Sequence, residues 1–271
     1  MNSYIYSGRL TPAFVVFMID QSASMINFSL GDGNKAEIAA WNVQNAILEI
    51  VRGNILGEII RDNAFITVIG YGQKYTPATI IRQGWVSEWA DDVLRSKYDG
   101  TCIIPAIADF SPCMEEGFSL AKDLCEEWIK VRKKVFEFNE ICGLGPIVII
   151  NITKGTVCNE NLAYRNAKEL TSLQNTRLYN IMIPNIDNYE EVIFPCYNPL
   201  LDREEMKWLF EVTSKLPEGA TSLAQVIGEN NIFEESRGFA ISISLDCASV
   251  LCRYSHLGIE THDNQSISQN I

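Results

Sequence analysis

Six consecutive apolar residues, Phe14-Val15-Val16-Phe17-Met18-Ile19, stop abruptly at Asp20. A run with no polar alternation, rich in β-branched and aromatic residues, suits a strand covered on both faces. A parallel sheet between two layers of helices covers its strands in that way. The rest of the chain repeats the pattern. Residues 65–71, 147–152 and 178–183 read as further buried strands, 78–82 as a shorter one, and 239–245 as an alternating one near the end. Between them, residues 35–57 place Ile38, Trp41, Ala46, Ile47, Ile50 and Val51 at three- and four-residue spacing, the period of a helix with one buried stripe. Helices are also expected over 116–138, 161–174 and 202–216. Strands alternating with crossover helices predict an α/β fold with a doubly wound, mostly parallel sheet and helices on both faces.

The 271 residues, 47% of them hydrophobic, can bury one sizeable core. No linker composition and no internal repeat divides them, so one domain is expected over 1–259 with a polar, frayed tail over 260–271. The stretch 184–199 is read as a long surface excursion, a common place for interaction elements. A net charge of −12 repels phosphate backbones and anionic lipid, which argues against nucleic acid and membrane as partners. No targeting segment and no 18-residue apolar stretch is visible, so a cytoplasmic location is expected. Eight scattered cysteines with no C-x-x-C pair, and only two histidines, argue against structural zinc and fit reduced, largely buried thiols. Lys130, Arg132, Lys133 and Lys134 suit a solvated helix C-terminus, where cations favour the dipole. Trp85 and Trp89 read as helix core.

The informative segment follows the first strand. Asp20, Ser22 and Ser24 place one carboxylate and two hydroxyls two residues apart, in a loop at a strand's carboxyl end, where ligands of parallel sheets bind. Such hard oxygens suit magnesium or manganese, and the same residues equally suit a capped turn. One carboxylate under-neutralises a divalent ion, leaving room for an acidic group from a partner.

The hydrophobic strand followed by D-x-S-x-S-M, residues 14–25, resembles the start of a von Willebrand factor A domain with its metal-ion-dependent adhesion site. Asp99-Gly100-Thr101 is similar to the segment in which that family places a threonine ligand, and residues 147–155 resemble the strand and loop that complete the site. The resemblance covers roughly 14–216. It implies a Rossmann-like sheet with one short antiparallel edge strand, supplied by residues 78–82. It also implies a protein-binding module and no enzyme, with Asp20, Ser22, Ser24 and Thr101 as metal ligands for Mg2+. Stand-alone intracellular members of this kind, as in bacterial tellurite-resistance and stress systems, work with a kinase, a phosphatase or an AAA-type ATPase.

One position departs from the family. The third motif reads Thr153-Lys154-Gly155, with lysine where aspartate is usual. An ammonium about 6 Å from a divalent ion costs on the order of 5 kcal/mol at an effective dielectric near 20. Either magnesium sits beside Asp20 with Lys154 turned outward, or Lys154 supplies the charge itself. A lysine here also imitates the haloacid-dehalogenase phosphatases, with Asp20 as nucleophile, Thr101 or Thr153, then Lys154. That chemistry needs a second aspartate two residues after the first, and the chain has Ser22 there; Asp187 and Asp202 lie outside strand context. No G-x-S-x-G elbow or P-loop occurs, and proline breaks the dinucleotide pattern at Gly143-Leu144-Gly145-Pro146.

Overall fold

The computed structural model describes residues 8, 10–26, 34–76, 78–138, 143–185, 189–200, 206–226 and 232–255. Along the chain, β1 (Ala13–Asp20) leads to α1 (Lys35–Gly53), a two-strand hairpin of β2 (Ile55–Leu56) and β3 (Ile59–Ile60), then β4 (Ala64–Tyr71) and β5 (Ala78–Trp85). Next come α2 (Val86–Asp99), α3 (Met114–Phe138), β6 (Ile147–Thr153), α4 (Glu160–Ser172) and β7 (Thr176–Met182). The chain continues through β8 (Val192–Ile193), α5 (Lys207–Val212), α6 (Ala220–Val226), β9 (Phe239–Ile241) and α7 (Cys247–Tyr254).

Seven strands form one sheet in the order β5-β4-β1-β6-β7-β9-β8. β1 is central and parallel to both neighbours, with Phe14 opposite Phe65 on one side and Ile147 on the other. The four strands expected to be buried and parallel are so. β5 is the antiparallel edge strand, running on to Trp85 rather than stopping at Arg82, and the two-residue β8 closes the opposite edge antiparallel to β9. Side-chain alternation along β1 feeds two cores. Val15, Phe17 and Ile19 pack with α1, α2 and α7, while Phe14, Val16 and Met18 pack with α3, α4 and α5. No helix among the described residues is long and apolar enough to cross a membrane.

Several boundaries differ from the sequence reading. α1 ends at Gly53, because Asn54 turns the chain into the β2–β3 hairpin instead of continuing to 57. The sequence reading gives α2 no range beyond taking Trp85 and Trp89 as helix core, although Val86, Trp89, Ala90 and Val93 give it a buried stripe at helical spacing. It starts where the Glu88 carboxylate accepts from the Trp85 backbone N–H, and it ends at Gly100, whose φ of +65° favours a residue without Cβ. Trp89 is helix core as expected; Trp85 instead joins Phe65 and Trp128 in an aromatic group over the edge of the sheet. The helix expected over 202–216 is the shorter α5, with 201–205 outside the described residues, and the last strand ends at Ile241 rather than 245. The proposed tail also lies outside the described residues. The basic cluster is no mere solvated helix end, since the Arg132 guanidinium donates to the carbonyls of Leu10 and Gly143.

A buried polar chain crosses the sheet beneath the strands' carboxyl ends. The Tyr71 hydroxyl donates to Asn151 Oδ1 (2.9 Å), Asn151 Nδ2 to Asn180 Oδ1 (2.9 Å), Asn180 Nδ2 to Thr213 Oγ1 (2.8 Å), and the Thr213 hydroxyl to the Leu209 carbonyl (2.6 Å). Buried amides with satisfied partners fix strand register as well as energy. At the opposite end of the sheet, Gly145 explains its own place in the sequence. A Cβ there would lie 2.3 Å from the carbonyl oxygens of Thr11 and Pro12, backbone atoms that no rotamer change can move. Gly145→Ala is therefore expected to cost about 2 kcal/mol, in the range of overpacking changes, measured by urea unfolding. Unchanged stability would show that the approach of 11–12 to 145 is not rigid.

Candidate functional site

The chain leaves β1 toward β4 on one side, while β6 fills the other side, so the strand order reverses between β1 and β6. Their carboxyl ends form the crevice where parallel sheets bind ligands. Asp20 ends β1 and Thr153 ends β6, and both are fully buried. Ser22 N–H donates to Asp20 Oδ1 (2.9 Å), while the Thr153 hydroxyl (3.1 Å) and Lys154 N–H (3.4 Å) donate to Oδ2. The hydroxyls of Ser22 and Ser24 are 2.8 Å apart, and Ser24 Oγ lies 3.3 Å from Thr156 Oγ1. Asp20, Ser22 and Ser24 are thus brought together. Gly155, with φ +93°, turns the β6 loop back so that its N–H donates to Thr153 Oγ1 (2.8 Å).

Thr101 is placed elsewhere. It is exposed at the end of α2, and its carbonyl accepts from Gln44 Nε2 (2.7 Å), nine residues or about 14 Å down α1 from Lys35. The third wall of the site is instead the segment before α3. Asp109 N–H donates to the Gln21 carbonyl (2.8 Å), Ala23 N–H to the Phe110 carbonyl (2.8 Å), and Ser22 and Phe110 bridge like parallel strands. Gly72 makes that approach possible, since a Cβ there would stand 2.9 Å from Ser22 N and 3.0 Å from the Ser111 carbonyl. Gln21 is buried in this wall, its Oε1 accepting from Gln73 Nε2 (2.6 Å) while its own Nε2 finds no acceptor among the described residues.

The residue that sequence reasoning missed is Lys35. It opens α1, is only 2% exposed, and donates from Nζ to Asn185 Oδ1 at 2.5 Å. Burial is the main reason its pKa is lowered from the ordinary 10.5 to about 8; Lys154 lowers it further and Asp20 raises it. Burial likewise pushes the Asp20 carboxyl above its ordinary 3.8, against the hydrogen bonds of Ser22, Thr153 and Lys154 that lower it. A sequence clue existed, because a lysine in the first turn opposes the positive end of the helix dipole.

Hydroxyls of Ser22 and Ser24 beside Asp20 are the right kind of donor for magnesium or manganese. The charge is not. Both Asp20 oxygens are already bonded by protein donors, and among the described residues the electrostatic neighbours of the Lys35 ammonium beside it are Asp20 and a second ammonium, Lys154. A divalent ion would raise an already positive site by two charges. Among the described residues no group of three or more His, Cys, Asp or Glu side chains is placed to hold a metal. Among the described residues, the donors and charges at the site do not fit a divalent ion. Nor do they fit the phosphatase reading, since position 22 is a buried serine and the Asp20 carboxylate is sealed beneath its donors.

The two shifts set opposite pH dependences. Asp20, raised, contributes stability below 3.8 that is lost as pH rises through its folded value. Lys35, lowered, makes the protein more stable as pH rises from about 8 to 10.5, where the unfolded chain holds the extra proton. Urea unfolding of wild type should show that alkaline rise, and Lys35→Met should be more stable at pH 7 and flat across the same window. An equal slope in both proteins would place the Lys35 charge in water.

No protein-family model matches the chain, and no curated protein sequence matches it. Solved structures do resemble it. The pilus adhesin SpaC of Lactobacillus rhamnosus GG in its open conformation aligns with 94% of the chain at 11% identity and a TM-score of 0.52, the chain spanning 31% of the adhesin. Manganese-loaded TRAP protein of Plasmodium vivax aligns with 91% of this chain and 74% of its own, at 11% identity and a TM-score of 0.45. The SpRpn10 VWA domain aligns with 92% of this chain and 97% of its own, at 14% identity and a TM-score of 0.42. At these identities the likeness is one of fold, and the fold is the mostly parallel, helix-covered sheet that the von Willebrand A resemblance implies.

Proposed function

We propose that the chain is a protein-interaction module of von Willebrand A type whose adhesion site works without a divalent ion, lysine ammonium groups taking the ion's place. The observation that carries this reading is Lys35, buried at the mouth of the site within the field of Asp20, with the half-buried Lys154 on the adjoining loop. With Lys35 enclosed beside the buried carboxylate, the half-buried Lys154 is the lysine available to the loop surface, and a carboxylate of a partner protein is the complement it fits. In this reading Asp20, Ser22 and Ser24 frame the site, Lys154 makes the outward contact, and Thr101 has no part. The resemblance carries the rest of the proposal: a kinase, phosphatase or AAA-type ATPase as partner, in a cytoplasmic stress or signalling complex.

Calorimetric titration with Mg2+ tests the charge argument directly. Wild type is expected to bind weakly or not at all, and Lys154→Asp to gain at least tenfold, about 1.4 kcal/mol, after screening has removed most of the bare repulsion. Equal affinity in the two proteins would show that Lys154 does not act on the site. Retention of partner proteins from an extract on the immobilised chain should survive EDTA and fall with Lys154→Glu. Retention abolished by EDTA and restored by Mg2+ would overturn the metal-free reading.

A further inference from the structure

Two cysteines meet at the rim of this site. Cys113 closes the segment that lies along Gln21–Ala23, and Cys158 closes the loop that carries Thr153, Lys154 and Thr156. The Cys158 N–H donates to the Pro112 carbonyl at 3.0 Å, holding the two loops backbone to backbone, and the Cys113 thiol lies within the electrostatic reach of Cys158. Both are reduced as expected, but Cys158 is exposed and Cys113 only partly buried, so the expectation of largely buried thiols does not hold for this pair. Cys196 is exposed as well, whereas Cys125, Cys247 and Cys252 are buried; Cys142 lies outside the described residues.

We propose that Cys113 and Cys158 form a reversible disulfide that ties the two loops flanking Asp20, a redox latch on the site. The oxidant is a small-molecule disulfide of the glutathione class. The Cys158 thiolate, the one open to solvent, attacks one sulfur of that disulfide, forms a mixed disulfide and releases one thiolate. The Cys113 thiolate then attacks Cys158 Sγ and displaces the second small thiol. Two protein thiols are oxidised, one small disulfide is reduced to two thiols, and two protons move from the cysteines to the released thiolates. Burial and the neighbouring Cys158, Glu115 and Glu116 raise the Cys113 pKa, which makes the second step the slower one near neutral pH. Once formed, the bond joins both outer walls of the crevice, because residues 109–110 are already bonded to the Asp20 turn and Thr156 to Ser24. The regulatory consequence rests on the proposed interaction site; the bond itself does not.

The test treats the full chain with oxidised glutathione and follows intact mass, peptide mapping and amide hydrogen exchange, none of which involves a partner. Wild type should lose two hydrogens and yield a cross-linked peptide joining Cys113 to Cys158, reversed by dithiothreitol. Cys113→Ser should instead keep a stable glutathione adduct on Cys158, and Cys158→Ser should leave Cys113 unmodified. Exchange over residues 109–113 and 153–158 should slow at least tenfold in the oxidised protein. A stable adduct on Cys158 in wild type, or unchanged exchange after cross-linking, would overturn the latch while leaving the interaction reading untouched.

Discussion

Asp20 ends the central strand with its carboxylate sealed from water, and a buried charge of that kind must be met by donors held in place. The local architecture follows from this requirement. The turn after β1 returns the Ser22 N–H, the end of β6 supplies the Thr153 hydroxyl, and the Gly155 turn aims the Lys154 N–H. Even so the hydrogen bonds do not offset desolvation, since the carboxyl pKa stays above its ordinary value. Fixed dipoles alone leave Asp20 short of compensation, and the ammonium that feels its field is that of Lys35.

Much of the fold was legible because its central strands are long, apolar and unbroken. Each residue of β1 and β6 is buried, and apart from Asn151 the polar residues stand only at the strand ends, Asp20 and Thr153, so the apolar run stays legible. Short or mixed elements were harder. α2 showed only as the helix core around Trp89, without bounds, because its buried stripe is diluted by Ser87, Glu88, Asp91, Asp92 and Arg95 on the solvent side. In the site, Asp20, Ser22 and Ser24 were found because they sit in one turn, where sequence distance and spatial distance agree. Thr101 was drawn in by the glycine before it, and that glycine serves to end α2. The segment that does reach Ser22 carries no comparable spacing, since its approach depends on Gly72 in a different loop.

Lys35 marks the limit of motif reading. A lysine at the start of a helix looks like a solvated surface residue, and only the packing of α1 against the sheet shows that its ammonium is enclosed. Its partner Asn185 lies 150 positions away in sequence, at the start of the stretch read as a surface excursion. That excursion therefore contributes a polar atom to the site and, through β8, an edge to the sheet. Long-range polar pairs of this kind leave no periodic trace, whereas apolar faces do.

The position of β1 in the sheet also shapes how the chain is made. Among the described strands of the sheet β1 is made before the others, yet its two hydrogen-bonding edges are filled by β4 and by β6, the latter completed roughly 130 residues later. At ribosomal speeds of about 5–20 residues per second, one edge of an entirely apolar strand waits roughly 7–26 s for its mate. Until then Phe14–Ile19 is an open template for mispairing, and loop closure over that distance makes the native pairing slow to win. The arrangement that places Asp20 between two parallel neighbours at the sheet's carboxyl edge thus makes the nascent chain depend on what shields it while it waits.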